Sequence, residues 1–278
     1  MSNNRNDEIM AALTDGIAQL TSSQRWQDWL VTQSRFHRYS FRNTMLILLQ
    51  CPEATRVAGF RAWQLLGRQV SKGEKAIWIL APVTRKATVD AHDSDVSTDS
   101  KARVLVAFKP ACVFDIGQTY GEDLPEVCTL LDGDGENVAG VFEHLVAVAQ
   151  SIGYTVENAE FADSRNGDCA FDLHRIRVAS DRSPVQRIKS LAHELGHAML
   201  HEQCDDRRLA ELEAESVAFV VCASLGINSD EYSFGYVATW AGGGDEAIAK
   251  ITQSASRIQH TAASILSSFE TEQREEVA

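Results

Sequence analysis

The sequence predicts an α+β protein built from two units: a small N-terminal α+β domain over residues 1–125, and a mainly helical domain with a small sheet over residues 126–278. Three observations carry this reading. Apolar residues recur at three-and-four spacing through the first fifty residues and again from residue 141 onward, with β-rich runs collected between them. A turn-rich segment, GQTYGEDLPEVCTLLDGDGENVAG at 117–140, separates the two parts. Charge divides at the same place: residues 1–130 carry 15 Lys and Arg against 14 Asp and Glu, whereas residues 131–278 carry 11 against 25.

In order along the chain, NDEIMAALTDGIAQL and WQDWLVTQSRF read as helices, and Ser40 is placed to cap a third, FRNTMLILLQ, which stops at Cys51-Pro52. TRVAGF and a short helix candidate, RAWQLLGRQV, precede two β-rich runs, AIWILAPV and RVLVAFKPACVFDI. The polar, acidic stretch between those runs, residues 87–100, has little to bury and reads as an excursion between strands. Beyond the joint come an amphipathic helix, VFEHLVAVAQSIG, and two strands, YTVENAEF and CAFDLHRIRVAS. Ser183-Pro184 then opens a helix, since serine caps free amides and proline suits the first helical position. Further helices are expected over about 207–225, 229–240 and 244–269.

Composition excludes several classes. A hydrophobic content of 44% supports a true core. No apolar run approaches the roughly 20 residues of a membrane span, and no hydrophobic leader opens the chain, so a cytoplasmic protein without membrane contact is expected. The six cysteines form no C-x-x-C pair, which suits reduced thiols better than a disulfide frame or a cysteine metal site. A net charge of −13 argues against indiscriminate nucleic-acid binding, although residues 25–86 alone hold 11 basic against 3 acidic side chains.

The chemistry concentrates in SLAHELGHAML, residues 190–200. On a helix, His193 and His197 are one turn apart and can direct both imidazoles to one tetrahedral ion, most simply Zn2+. Glu194 is then placed to take a proton from water, the arrangement of H-E-x-x-H hydrolases. Gly196 costs helix stability, roughly 0.5–1 kcal/mol, and implies close packing beneath the site. Two buried, hydrogen-bonded histidines would give the same pattern without chemistry. A third ligand is expected in RRLAELEAESVAFVVCA. Glu211 and Glu215 lie beside Arg207 and Arg208 and resemble a solvated ion-pair face, so they are the alternatives. Glu213 aligns with Leu209, Ala210, Val217, Val220 and Val221, where an unpaired carboxylate would be costly, and is the expected ligand. His201 either supports the site or ends the helix. Tyr232 and Tyr236 are candidate donors to a developing oxyanion, or packing residues. The strand LHRIRVAS is a candidate edge for an extended peptide.

In the N-terminal part, bases and aromatics interleave through RWQDWLVTQSRFHRYSFRN and GFRAWQLLGRQVSKGEKAIW. That mixture suits single-stranded nucleic acid, with cations on phosphates and rings on bases. The same rings at helical spacing, Trp26, Trp29, Phe36 and Phe41, also suit a core.

Two regions resemble one family. YSFRNTMLILLQCPEATRVAGFRAWQLLGRQVSKGEKAIWILAP with VFDIGQTYGEDLP resembles the N-terminal domain of ArdC-type antirestriction proteins, and IKSLAHELGHAMLH with ELEAESVAFVV is similar to the zincin-like metallopeptidase domain of the same proteins and, more loosely, to ImmA/IrrE-type peptidases. The resemblance implies a single-stranded-DNA-binding domain followed by a zinc peptidase, with single-stranded DNA and a protein or peptide substrate as partners. It agrees with His193, Glu194 and His197 and supports Glu213, the glutamate before Ala214. Candidate DNA contacts from charge and ring chemistry are Arg35, Arg38, Tyr39, Arg42, Asn43 and Trp63. The alternatives are a non-catalytic protein that coats single strands around a structural metal, and an ImmA-like peptidase that cleaves a regulatory protein.

Overall fold

The computed structural model describes residues 2–86, 103–124, 135–227, 234 and 244–276. The acidic excursion at 87–100, residues 125–134 of the expected joint, the helix expected over 229–240 apart from Phe234, and Tyr232, Tyr236 and Cys128 lie outside the described residues.

Helices α1 (Ser2–Gln19), α2 (Ser23–Arg35) and α3 (Phe41–Gln50) open the chain. The Ser22 hydroxyl accepts from Arg25 N and starts α2, whose Trp26, Trp29 and Leu30 fall on one buried face. Ser40 occupies the cap position of α3 without a side-chain bond, and α3 ends at Cys51, where the following proline favours extended backbone. Strand β1 (Val57–Ala58), helix α4 (Phe60–Leu65) and strands β2 (Arg68–Val70), β3 (Ile77–Lys86), β4 (Arg103–Asp115) and β5 (Thr119–Gly121) follow. They form an antiparallel sheet of order β1-β4-β3 and a β2-β5 ribbon.

The second part contains α5 (Gly135–Ser151), β6 (Thr155–Ala159), β7 (Gly167–Ala170), β8 (Arg175–Ala179), α6 (Pro184–Leu200), α7 (Arg207–Ser224) and α8 (Gly244–Glu276). The single strand expected from CAFDLHRIRVAS is two strands: β7 and β8 pair antiparallel across a turn in which His174 takes φ 45°. No glycine or proline marks that turn in the sequence. Strand β8 also pairs with β6 in parallel, giving the order β6-β8-β7.

The helices of both parts share one core. Leu13, Trp26, Trp29 and Met45 join Leu145, Leu191, Val217, Val221 and Ile258 in a continuous buried cluster. Burying each large apolar side chain contributes about 1.5–3 kcal/mol, so this shared layer dominates the attachment of α1–α3 to α6–α8. It is also hydrogen-bonded: the Trp26 indole donates to Ser216 Oγ at 3.0 Å, and Ser224 Oγ donates to the Ser34 carbonyl at 2.8 Å. A smaller cluster, including Phe36, Ile47, Ile77 and Val113, seats α3 on the β3–β4 sheet. Among the described residues, no helix is long and apolar enough to cross a membrane, and Cys51, Cys112, Cys169, Cys204 and Cys222 are free thiols.

Candidate metal centre

Helix α6 is started by Ser183, whose hydroxyl accepts from Gln186 N, with Pro184 in the first turn. Ile188, Leu191, Ala192 and Leu195 bury one face, which leaves His193 and His197 on the side that borders a cleft. Helix α7 begins at Asp206, whose carboxylate accepts from Arg208 N and Leu209 N. The two helices touch where Gly196 meets Ala214: a β-carbon at Gly196 would stand 3.0 Å from Ala214 Cα. Glycine in the motif is therefore a packing requirement, and it fixes which residues of α7 face the histidines.

The Nε2 atoms of His193 and His197 lie 3.0 Å apart. Glu211 Oε2 is 3.4 Å from the first and 3.8 Å from the second, so two imidazoles and one carboxylate converge on a single point. His193 Nδ1 is held by Glu215 Oε2 at 3.1 Å, and Glu215 in turn meets Lys189 Nζ at 3.4 Å. The carboxylates around the pair favour positive charge there. Burial opposes charge on His193, but Glu211 and Glu215 outweigh it and push its pKa up to about 9. The neighbouring His193 and His197 rings hold Glu211 far below the usual carboxylate range. Nitrogen and carboxylate donors in this geometry fit a divalent ion such as zinc, with room for water.

Glu194 is buried beside them, and burial pushes its pKa up to about 7. It faces a cleft of about 800 Å³ whose other wall is β7 and the residues before it, including Arg165, Gly167, Asp168 and Cys169. Burial, reinforced by the Glu194 charge, pushes the Cys169 thiol up to about 12, so it is not a ready nucleophile. The expected peptide edge needs correction. LHRIRVAS forms β8, which is bonded on both sides, whereas β7 pairs on one side only among the described residues and is the edge at the cleft.

Glu213 is also placed differently from expectation. It is fully buried, as its apolar alignment required, but its Oε2 meets His201 Nε2 at 3.0 Å and Arg257 Nη2 at 3.1 Å. The cation that meets it in the structure is a guanidinium from α8. Glu211, set aside for its nearby arginines, does lie 3.9 Å from Arg207 Nε through Oε1, while Oε2 faces the histidines. His201 caps α6 and also contacts His197, the Nδ1 atoms standing 3.0 Å apart.

The N-terminal candidates separate sharply. Trp63 is fully buried and donates to the Phe114 carbonyl at 2.9 Å, so it has no face for a base. The Asn43 amide is spent on Leu80 N and O, at 2.9 and 3.0 Å. Arg35 donates to the carbonyls of Pro52 and Ala54. Tyr39 is half-buried edge-on to Phe36. Arg38 and Arg42 are exposed. Sequence reasoning passed over Phe60 and Tyr120, rings that are about half exposed or more on the same part of the chain.

Comparison with known proteins agrees with this architecture. Residues 1–114 match the N-terminal domain of anti-restriction factor ArdC, and residues 150–225 match the IrrE N-terminal-like domain of the M78 peptidases. An uncharacterized protein of Bacillus anthracis is 27% identical over 95% of this chain, which spans 51% of that relative's length. The Mn(II)-bound structure of antirestriction ArdC protein from plasmid R388 aligns with 92% of this chain and 97% of its own at a TM-score of 0.57 and 20% identity. Its metal-free structure aligns with 82% and 84% at a TM-score of 0.52 and 22% identity. The chain therefore combines a region similar to the ArdC N-terminal domain with a following region similar to the IrrE-like, M78 peptidase-like domain.

Proposed function

We propose that this chain is a DNA-directed metallopeptidase of the antirestriction class: residues 1–125 bind single-stranded DNA, and residues 126–278 hydrolyse a peptide bond at a divalent ion, with Zn2+ the simplest occupant. The observation that carries the reading is the convergence of His193 Nε2, His197 Nε2 and Glu211 Oε2 beside a buried Glu194, at a cleft bordered by β7, which pairs on one side only among the described residues. The relative whose structure holds Mn(II) supports a divalent ion in this class.

A divalent ion held by His193, His197 and Glu211 supplies Lewis acidity, lowering the pKa of water and polarising a carbonyl. The chain's own residues do the rest. The free edge of β7 receives an extended substrate backbone by strand addition, which lays a scissile bond along the cleft. Glu194, with its pKa raised to about 7 by burial, accepts the proton of the attacking water at its carboxylate and returns it to the leaving amine. The exposed Arg38 and Arg42 meet phosphates, with Phe60 and Tyr120 as exposed rings for unpaired bases.

The test uses the full chain, Mn2+ and Zn2+ titrations, an unfolded casein substrate, and labelled single-stranded and duplex oligonucleotides over a salt series. The reading expects metal binding, casein cleavage that Glu194→Gln abolishes while metal binding persists, and a salt-sensitive preference for single strands. Full DNA binding without cleavage would favour a strand-coating protein. Cleavage without DNA binding would favour a peptidase that recognises a regulatory protein.

A further inference from the structure

We infer that Glu213 acts through His201 as the positioning residue of the metal site, fixing His197 in the tautomer whose Nε2 is bare; this rests on the reading of His193, His197 and Glu211 as ligands. The argument follows donors and acceptors along a chain of contacts. A carboxylate paired with a guanidinium only accepts hydrogen bonds, and Glu213 Oε2 stands 3.1 Å from Arg257 Nη2. His201 Nε2, 3.0 Å from the same oxygen, must therefore carry its ring proton. A neutral imidazole has one N–H, which makes His201 Nδ1 an acceptor. His197 Nδ1, 3.0 Å away, must donate to it, and the lone pair of His197 is left on Nε2, facing His193 Nε2. His193 is oriented by a shorter route, since Glu215 Oε2 accepts from its Nδ1.

Each ligating imidazole is thus oriented by a carboxylate, one directly and one through a second imidazole. Without His201, the proton of His197 is free to reside on either nitrogen, and one of the two tautomers blocks the ligand position. The relay also ties three helices together at one point. His201 closes α6, Glu213 lies in α7, and Arg257 of α8 donates to the Leu200 carbonyl at 2.7 Å as well as to Glu213.

A purely structural role explains Glu213 poorly. Its Oε1 is buried with no hydrogen-bond partner among the described residues, a deficit that costs about 1–3 kcal/mol. Well-packed apolar residues commonly replace buried ion pairs with no loss of stability. A carboxylate retained at that cost is accounted for if the ligand geometry requires it.

The experiment measures Zn2+ affinity of the full chain against a competing chelator, and reads the histidine tautomers of the metal-free protein by nitrogen-edited NMR of the imidazoles. In wild type, His197 is expected as the Nδ1–H tautomer. His201→Phe, which keeps ring volume, is expected to weaken Zn2+ binding about 10–100-fold and to give His197 a mixture of tautomers. Glu213→Gln keeps volume more closely, and its amide offers either an acceptor or a donor to His201. It is expected to unfix the His197 tautomer and to weaken Zn2+ less than Glu211→Gln, and it decides the matter should His201→Phe fail to fold. Folded variants that bind Zn2+ as wild type does, with His197 unchanged, overturn the inference. So does a Glu213→Gln loss exceeding that of Glu211→Gln, which would make Glu213 a ligand. A wild-type chain that binds neither Zn2+ nor Mn2+ overturns the metal-site reading and the inference with it.

Discussion

Gly167 on β7 lies against Glu194 on α6 so closely that a β-carbon at position 167 would stand 3.0 Å from Glu194 Oε1 and 3.0 Å from the Arg177 carbonyl oxygen. The carbonyl belongs to the paired strand β8 and cannot retreat, so the glutamate must move. Gly167→Ala is therefore expected to lower casein cleavage roughly 10–100-fold, because small displacements of a proton-transfer group are costly. Zn2+ affinity should stay as in wild type, since no ligand is touched. Cleavage at the wild-type rate would show that Glu194 does not need its present position.

Gly196 makes the opposite kind of prediction. Replacing it with alanine should stabilise an isolated helix by about 1 kcal/mol. Here the new methyl would meet the Ala214 backbone at 3.0 Å and wedge α6 from α7, the helices that supply the histidines and Glu211. Overpacking of this kind typically costs about 1–3 kcal/mol, so the net effect is destabilising. Thermal unfolding and Zn2+ titration of Gly196→Ala should both show a loss. A higher melting temperature with unchanged affinity would contradict the close packing.

The shared core predicts cooperative melting. Trp26 of the first part is fully buried and bonded to Ser216 of α7. Trp26→Phe removes that bond and some volume, at a cost of about 1–2 kcal/mol. Calorimetry of the full chain should show one transition that shifts as a whole. A variant in which only part of the heat absorption moves would mean that the two parts unfold separately.

The motif residues were legible because their spacing is itself the geometry: four residues on a helix put His193 above His197, and the 3.0 Å Nε2 separation follows. The helix start at Ser183 was legible for the same reason, since capping is local. Which carboxylate stands beside the histidines was not, because three glutamates within five residues differ only in direction, and direction is set by a contact between helices. Once Gly196 is known to sit on Ala214, Glu211 and Glu215 fall to one side of that contact and Glu213 to the other. The apolar alignment of Glu213 did foretell a buried charge that needs a cation, but the cation comes from Arg257, 44 positions along the chain and invisible to local pattern. The β7–β8 turn escaped notice because His174 takes a left-handed conformation without glycine or asparagine to announce it. The tryptophans illustrate the limit of composition: interleaved rings and bases describe a stacking surface and a helix core equally, and Trp26, Trp29 and Trp63 belong to the core.

That division sets the last prediction, on nucleic acid. Asn43→Ala removes both bonds to the Leu80 backbone and should cost about 1–2 kcal/mol of stability, because the strand groups it satisfies are partly buried. Trp63→Ala should cost more, about 3–5 kcal/mol, for a large buried ring. Neither should change the salt dependence of DNA binding in protein that remains folded, because neither side chain presents charge to a phosphate. Arg38→Ala and Arg42→Ala each remove an exposed charge, and Arg42→Ala should leave melting nearly unchanged. Each is expected to weaken single-strand binding at low salt and to reduce the slope of log affinity against log salt by about 0.7, the amount for one phosphate contact on a single strand. Fluorescence anisotropy across a salt series distinguishes the two sets. If the arginine variants bind with the wild-type slope, the phosphate track lies elsewhere on the N-terminal part.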